Sequence, residues 1–392
     1  MRGFVTSAIS RERLTESPAL EGRFLQPIDF EWGHFDTLNG ARLRWGHLPV
    51  PGARAQCVLV GGFGEFIEKH FETIRDLAAK HVEVWCLDWR GQGHSCRPRV
   101  LATRPRARNF DRDAGDLAAF ATAKLIRPLP RLLIAHSMGG AIGLICLARH
   151  PSLFDAAILS SPMIGLRIGR VPPMLLRYVT ASLRAFGLGL CFIPGVRKWS
   201  SSRNRTPDQS RVSADAQRCA VTHAWVSANP SLQTGGITYA WLDSALALTG
   251  RIQLPGFLAH VHTPVLLGVP ERELVVSSAA QRGAARFLPD CSLVELSESK
   301  HDPFLEHDKI RDEWLRRIDD FLSERLALDL ASDHLPHTAQ HRTSKIVDKR
   351  GLAGRGALTR RGINLRRAGR NASFRIKPNT QSSLLRHEAE SG

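Results

Sequence analysis

The feature of this sequence that most constrains its fold is a series of short apolar runs that alternate with helical stretches. The runs that we interpret as strands are 57–60, 82–87, 131–135, 156–160, 264–268 and 292–296. The first two are too uniformly apolar to have one wet face, which is typical of parallel strands covered on both sides. Strands that alternate with helices predict an α/β fold with a mostly parallel, doubly wound sheet. Upstream, Asn39-Gly40 lies between two alternating stretches and predicts an antiparallel hairpin.

The alternation stops between Pro162 and about Gly250, where helical segments rich in Leu, Arg and Trp take over. We interpret this stretch as a helical cap inserted into the α/β core. The predicted domains are an N-terminal extension (1–25), the first part of the core (26–162), the cap (163–250), the second part of the core (251–326) and a basic tail (327–392).

The net charge of +17 is large for one folded domain, and about half of it comes from the end of the chain. Residues 325–392 contain 14 Lys or Arg, 5 Asp or Glu, and neither Trp nor Tyr. Such a segment buries too little apolar area to offset the entropy of ordering, so we expect the tail to be disordered. Its charge favours peripheral contact with an anionic membrane surface. Because aromatic side chains for base stacking are scarce, no specific nucleic-acid binding is expected.

Other features of the sequence restrict where in the cell the protein is located and which cofactors it can bind. The first 25 residues contain no apolar run of signal-peptide length, and no apolar stretch reaches the length of a membrane span. Seven scattered cysteines favour reduced thiols. We therefore predict a cytoplasmic protein, with peripheral contact at the inner membrane face. No CxxC pair and no HExxH motif occurs, so we predict neither a metal site nor an organic cofactor.

Ser137 is the predicted nucleophile. The apolar run that ends at Ala135 continues directly into His-Ser-Met-Gly-Gly140 and then into a helical stretch. This is the layout of a nucleophile elbow, in which a tight strand-to-helix turn exposes the serine hydroxyl and small residues two positions before and after it let the backbones pass. The alternative is a serine that only caps a helix.

A serine nucleophile needs a base that is held by a third group, and the chain order in such folds is serine, acid, histidine. His301 follows the run at 292–296 and precedes an amphipathic helix, which predicts a position on the sheet edge facing Ser137. The loop after 264–268 offers two acids, Glu271 and Glu273. We favour Glu273 as the acid and keep Glu271 as the alternative, because Glu273 lies immediately before Leu274-Val-Val276.

Two backbone N–H groups are needed to stabilise the oxyanion that forms during acyl transfer. One is predicted at Met138, directly after the nucleophile. The other is predicted at Phe63, in the Gly-rich turn 61–65 that follows the strand 57–60. This turn lacks the third glycine of a dinucleotide fingerprint, and the alternative is a flexible strand-to-helix turn.

Taken together, these segments resemble the lysophospholipase and monoacylglycerol lipase group of α/β hydrolases, also described as serine aminopeptidase-like. The likeness spans roughly residues 25–325 and is carried by Gly61-Gly-Phe-Gly-Glu65, Asp88-Trp-Arg-Gly-Gln-Gly-His-Ser95, Ala135-His-Ser-Met-Gly-Gly140, Ser161-Pro-Met-Ile-Gly165 and Lys300-His-Asp302. The resemblance implies an α/β-hydrolase fold with a cap over the active site, no cofactor, and hydrolysis of a lysophospholipid or monoacylglycerol ester.

The chain departs from the usual pattern of that group at three positions. Members usually have His or Gln at position 61, Gly at 135 and Asp as the triad acid, whereas this chain has Gly61, Ala135 and a glutamate. The first two changes are small. The third leaves the choice of acid between Glu273 and Glu271.

The composition of the predicted cap also indicates what kind of substrate the protein binds. Its apolar residues could line an acyl tunnel while Arg167, Arg170, Arg177 and Arg184 meet phosphate headgroups, although any helical cap packed on a sheet would have a similar composition.

Two other functions stay open. A peptidase or small-ester hydrolase of the same fold would need an acidic cluster for a free amino group, and the cap contains only Asp208, Asp215 and Asp243. A protein that binds an anionic surface or nucleic acid would act through the basic tail.

Overall fold

A computed structural model of the chain describes residues 18–97, 103–169, 171–196 and 210–328. The chain divides into two units, Met1–His334 and Leu335–Gly392, and every described residue lies in the first. The predictions for residues 1–17 and for the basic tail beyond 328 lie outside the described residues, as do Arg170 and Asp208.

The described residues form one eight-stranded, mostly parallel sheet. Its strands are β1 (Glu31–Asp36), β2 (Arg42–Leu48), β3 (Ala55–Val60), β4 (Val82–Leu87), β5 (Arg131–His136), β6 (Ala156–Ser160), β7 (Val265–Pro270) and β8 (Cys291–Leu296). They are arranged in the order β1-β2-β4-β3-β5-β6-β7-β8. The pairs β1–β2 and β2–β4 are antiparallel, and all the others are parallel. The predicted hairpin and the predicted doubly wound α/β fold are therefore confirmed.

Helices lie on both faces of this sheet. They are α1 (Phe71–Ala79), α2 (Phe110–Lys124), α3 (Met138–Arg149), α4 (Pro173–Ala185), α5 (Ala216–Ala228), α6 (Tyr239–Ile252), α7 (Pro255–Leu258), α8 (Ser278–Ala285) and α9 (Asp308–Leu326). Short 3₁₀ turns occupy Gly22–Phe24, Ile67–His70, Leu188–Leu190, Pro230–Leu232 and Pro303–Leu305.

The two faces of the sheet explain the apolar runs in the sequence. In β5, Leu133 and Ala135 pack with residues of α2 and α3, whereas Leu132 and Ile134 pack on the other face with residues of α1 and α9. Since successive side chains of a strand point to opposite faces, a strand covered on both sides needs apolar residues at every position.

Strand β8 is the exception. It lies at the edge of the sheet, and within it only Leu296 is buried, while Leu293 is 40% exposed. The predicted run 292–296 is therefore a strand, but its edge position leaves it less covered than the inner strands.

The predicted cap falls between β6 and β7, where the structure has α4, α5, α6 and α7. Helix α4 contacts α6. Helix α5 instead packs Val221 and Trp225 with Phe24 and Phe71 of the first part of the chain. The cap boundaries 163–250 stay a prediction. Within the described ranges, no helix is long and apolar enough to cross a membrane.

The segment Asp88–Ser95 forms a turn around a buried carboxylate. One oxygen of Asp88 accepts from the Nε of Arg44 (2.6 Å) and from the N–H of His94 (3.0 Å), and the other accepts from the N–H of Ile67 (3.1 Å). Gly93 passes so close that a Cβ there would lie 1.9 Å from Oδ2 of Asp88, at a backbone φ of +52°. The segment thereby ties β4 to the loop after β3.

We expect Gly93→Ala to destabilise the protein much more than Gly91→Ala. Both glycines have positive φ, which costs an alanine about 1 kcal/mol, but a Cβ at Gly91 meets nothing within 4 Å. At Gly93 the clash with Asp88 should increase the loss in the free energy of unfolding to roughly 3 kcal/mol or more. Urea denaturation of the two variants measures both values, and equal losses would contradict a steric role for the Asp88 carboxylate.

Candidate active site

Ser137 lies in a strained turn between β5 and α3. Its backbone has φ 53° and ψ −116°, a conformation that non-glycine residues rarely adopt. The turn is held by hydrogen bonds from the N–H of Ser137 to the carbonyl of Ser160 and from the N–H of Met163 to the carbonyl of Ser137, both 2.9 Å. This geometry places the side chain beyond the carboxyl end of the sheet's central strand.

Glycines allow the turn to pack closely against its neighbours. A Cβ at Gly139 would lie 2.6 Å from the carbonyl oxygen of Gly61, and a Cβ at Gly140 would lie 2.7 Å from the Cβ of Pro162. Ala135, by contrast, is fully buried among the core residues of α3. The fold thus accommodates the methyl group at position 135.

The structure brings Ser137, His301 and Glu273 together. The Nε2 of His301 lies 2.9 Å from the Oγ of Ser137, and its Nδ1 lies 2.8 Å from Oε2 of Glu273. All three residues are buried. The other oxygen of Glu273 accepts from the N–H groups of Val275 (2.7 Å) and Val276 (3.1 Å).

The environment of Glu273 favours its ionised form. Burial alone would raise the pKa of this carboxyl, but its contact with His301 and the two backbone N–H groups outweigh burial, so the pKa is lowered. A carboxylate can only accept hydrogen bonds, so Nδ1 of His301 must be the donor. When the imidazole is neutral, its Nε2 is then left as an acceptor facing Ser137.

Glu271 lies elsewhere. Its exposed side chain accepts from the N–H of Glu298 at 2.8 Å, on the loop that follows β8. Of the two candidate acids, the structure therefore places Glu273 next to His301.

The two predicted oxyanion donors lie on facing turns. Met138 is the first residue of α3, so its N–H has no acceptor within the helix. In the turn after β3, the N–H of Gly62 donates to Oε2 of Glu65 (2.6 Å) and that of Gly64 donates to Oε1 of Gln92 (3.0 Å). Among the described residues, no hydrogen bond occupies the N–H of Phe63 between them.

Sequence reasoning missed a buried charge cluster behind this site. Lys69 bonds Glu65 and also Asp302, whose Oδ2 lies 2.9 Å from the ammonium group. Glu65 holds the turn that contains Phe63, and Asp302 follows His301, so the lysine joins the two loops. The spacing of Glu65 and Lys69, four residues apart, was the available signal, but Asp302 is 233 residues from Lys69.

His136 lies at the centre of this cluster. Its ring centroid is 4.8 Å from that of His301, and Nε2 lies 3.6 Å from Glu65 and 3.8 Å from Asp302. The ligand atoms of Glu65, His136 and Asp302 all lie within 4.8 Å of one another, a donor set that could hold a metal ion. The ammonium of Lys69 already bonds both carboxylates, so this set has its own cation. The prediction of no metal site stays a prediction.

Burial lowers the pKa of His136 from 6.5 to about 4, despite the nearby carboxylates. Between these pH values the unfolded chain binds a proton that the folded chain does not, so the free energy of unfolding falls on acidification, by about 3 kcal/mol in all. The pKa values of Glu65 and Asp302 are lowered from 4.5 and 3.8, so the stabilisation from these carboxylates is lost as the pH falls through and below those values.

We expect His136→Asn to remove this pH dependence. Urea denaturation between pH 6.5 and about 4 should show the free energy of unfolding of the wild type falling towards that of the variant. Curves that stay parallel over this range would mean that His136 is protonated in the folded protein.

The described geometry can be compared with known proteins. Residues 51–308 match the family described as serine aminopeptidase, S33, which is more than half of the chain. The chain is 24% identical over 310 residues to a probable lysophospholipase L2 of Haemophilus influenzae, covering 75% of this chain and 93% of that protein. It is 32% identical over 237 residues to lysophospholipase L2 of Escherichia coli, covering 56% of this chain and 64% of that protein.

Solved structures show the same fold. A soluble variant of monoglyceride lipase from Saccharomyces cerevisiae aligns with a TM-score of 0.58 at 18% identity, covering 80% of this chain and 99% of that one. A thermostable carboxyl esterase from Bacillus coagulans aligns with a TM-score of 0.60 at 17% identity, covering 76% of this chain and 100% of that one. At these identities the likeness concerns the fold alone.

Proposed function

The chain belongs to the serine aminopeptidase S33 family of hydrolases, and we propose that it hydrolyses the carboxylic ester of a lipid such as a lysophospholipid or a monoacylglycerol. It is a lysophospholipase- and monoacylglycerol lipase-like α/β hydrolase. The observation that carries the proposal of ester hydrolysis is the continuous series of hydrogen bonds from Ser137 through His301 to Glu273.

In the proposed mechanism, His301 acts first as a base. Its Nε2 takes the proton of Ser137 as the Oγ attacks the ester carbonyl, and the same proton passes to the alcohol as it leaves. Water then attacks the acyl-enzyme with His301 again as the base, which releases the fatty acid and restores Ser137.

Glu273 and the two turns support these steps. The carboxylate holds Nδ1–H of His301 and stabilises the imidazolium that forms when Ser137 is deprotonated. The N–H groups of Phe63 and Met138 are proposed to stabilise the tetrahedral oxyanion. The carboxylate of Glu65 supports this proposal, because it accepts a hydrogen bond from the N–H of Gly62 and so holds the turn that contains Phe63.

Aminopeptidase activity is less well supported by the described residues. A peptidase of this kind would need a carboxylate available to a free amino group. In the inserted segment, Asp215 caps α5 and lies against Arg218 and His307, and Asp243 pairs with Arg184 at 2.8 Å. Function through the basic tail concerns residues outside the described ranges and stays a prediction.

We expect a fluorophosphonate probe to label the wild type and not Ser137→Ala. The activated serine Oγ attacks the phosphorus of the probe and displaces fluoride to form a phosphonate ester. The variant lacks this oxygen, so its ester hydrolysis should also fall by roughly 10⁶-fold in kcat. Labelling is measured by gel fluorescence, and circular dichroism checks that the variant is folded. Equal labelling of the two proteins would contradict Ser137 as the nucleophile.

We expect Glu273→Gln to lower kcat by about 10³- to 10⁴-fold while Glu271→Gln leaves it nearly unchanged. Only the first substitution removes the charge that faces the imidazolium of His301. The two variants change the charge by the same amount and lie two residues apart, so each is the control for the other. Steady-state kinetics with a short-chain ester decides between them, and the opposite result would make Glu271 the acid.

A further inference from the structure

A cavity lies next to the turn that contains Phe63. Its volume is about 400 Å³, and it is lined by residues 90–92, 96–97, 104–109 and 112–113 together with Phe63, Thr234 and Trp241. Six arginines line it, namely Arg90, Arg97, Arg104, Arg106, Arg108 and Arg112, against one carboxylate, Asp113. We call it the arginine pocket.

Carboxylates compensate two of these arginines. Arg90 bonds Asp116, with one contact of 2.8 Å, and the Nε of Arg108 lies 2.7 Å from Asp113. These two pairs are internal to the protein, and they use the one carboxylate in the lining.

Three further arginines of the pocket have no carboxylate partner among the described residues. Arg104 donates to the carbonyl of Leu190 (3.4 Å) and lies over the ring of Phe192. Arg106 and Arg112 are exposed. Within the described part of the chain, no carboxylate forms an ion pair with Arg104, Arg106 or Arg112. The pocket therefore holds several positive charges that its own acids do not balance.

Arg97 also lines the pocket. Its guanidinium donates to the carbonyl of Gln233 at 2.8 Å. Burial lowers the pKa of Arg97, against the opposing effect of Asp88, which shows that the surroundings disfavour its charge. An anion bound in the pocket would relieve that penalty.

The pocket and the reacting centre share structure. Phe63 contributes its side chain to the wall of the pocket and its N–H to the proposed oxyanion site. Gln92, also in the wall, receives the N–H of Gly64 and donates to the carbonyl of Gly62 at 2.9 Å. The pocket therefore lies against the same turn that carries the proposed oxyanion donor.

We propose that the arginine pocket binds the phosphate of a phospholipid headgroup and so selects lysophospholipids over monoacylglycerols. This inference rests on the proposed lipid esterase function. Guanidinium groups match the oxygens of a phosphate in charge and in hydrogen-bond geometry, whereas a monoacylglycerol offers only neutral hydroxyl groups.

Two of the four arginines of the inserted segment that were predicted to meet a headgroup are less suited to this role than sequence reasoning expected. Arg167 donates to the backbone carbonyl of Glu273, and Arg184 pairs with Asp243. Both are thus occupied within the protein. Arg177 is exposed and Arg170 lies outside the described residues, so a headgroup contact of these two stays a prediction.

The binding test uses full-length Ser137→Ala, which cannot turn over an ester. Glycerol 3-phosphate should bind with measurable heat in calorimetry, and glycerol should not. Adding Arg106→Gln and Arg112→Gln should weaken binding about tenfold or more, because each phosphate contact is a charge-assisted hydrogen bond. The control, Arg286→Gln with Arg316→Gln, removes the same charge from exposed positions outside the pocket and should leave the affinity unchanged.

The kinetic test compares lysophosphatidylcholine with a monoacylglycerol of the same acyl chain, using proteins with Ser137 intact. The pocket variant should raise KM for the lysophospholipid about tenfold or more and leave the monoacylglycerol values unchanged. A parallel loss on both substrates, or the same loss in the control variant, would overturn the proposal.

Two further outcomes distinguish a failure of the headgroup proposal from a failure of the proposed esterase function. If inorganic phosphate binds as tightly as glycerol 3-phosphate and the two lipids are hydrolysed alike, the pocket is a free-phosphate site and the headgroup proposal is wrong. If neither lipid is hydrolysed, the proposed function fails. Calorimetry on Ser137→Ala then still decides the phosphate site, because binding needs no turnover.

Discussion

The site depends on how closely two backbone turns approach each other. The turn at Ser137 and the turn at 61–65 come from neighbouring parallel strands, and they meet with no side chain between them at Gly139 and Gly61. A Cβ at Gly62 would lie 2.9 Å from the Cβ of Ser137. Because the contact is made by backbone, it fixes the separation of the proposed nucleophile and the two proposed oxyanion N–H groups before any substrate binds, which is the arrangement that electrostatic catalysis requires.

Buried charges hold this arrangement from behind. Taking charges out of water is unfavourable, so a buried lysine persists only when its partners are well placed. Lys69 has such partners in Glu65 and Asp302, and each of them belongs to a loop of the site. The cluster therefore converts an unfavourable burial into a positional constraint, since moving either loop would deprive the buried ammonium of one of its two carboxylate partners. Neutral His136 fills the space between them without adding another charge.

The sequence predicted those parts of the molecule that depend on local pattern. Apolar runs predicted the strands, and because parallel strands end at a common edge, chain position alone pointed to Ser137, Glu273 and His301, which the structure brings together. Contacts between distant segments were not predictable. Asp302 meets Lys69 across 233 residues, and the edge position of β8 follows from the order of the strands, which periodicity does not encode. The arginines at 104–112 were visible in the sequence, but whether a loop points its side chains inward depends on tertiary contacts.

The positive charge of this chain thus has two different locations with different consequences. Charge in the tail is spread along the sequence, with 14 Lys or Arg in residues 325–392. Charge in the arginine pocket converges on one cavity whose wall includes Phe63 and Gln92. Since Gln92 also holds the turn that carries the proposed oxyanion donor, a phosphate bound there would act on the same structural unit that receives the ester carbonyl. Binding energy from a part of the substrate that does not react can then be used to orient the part that does.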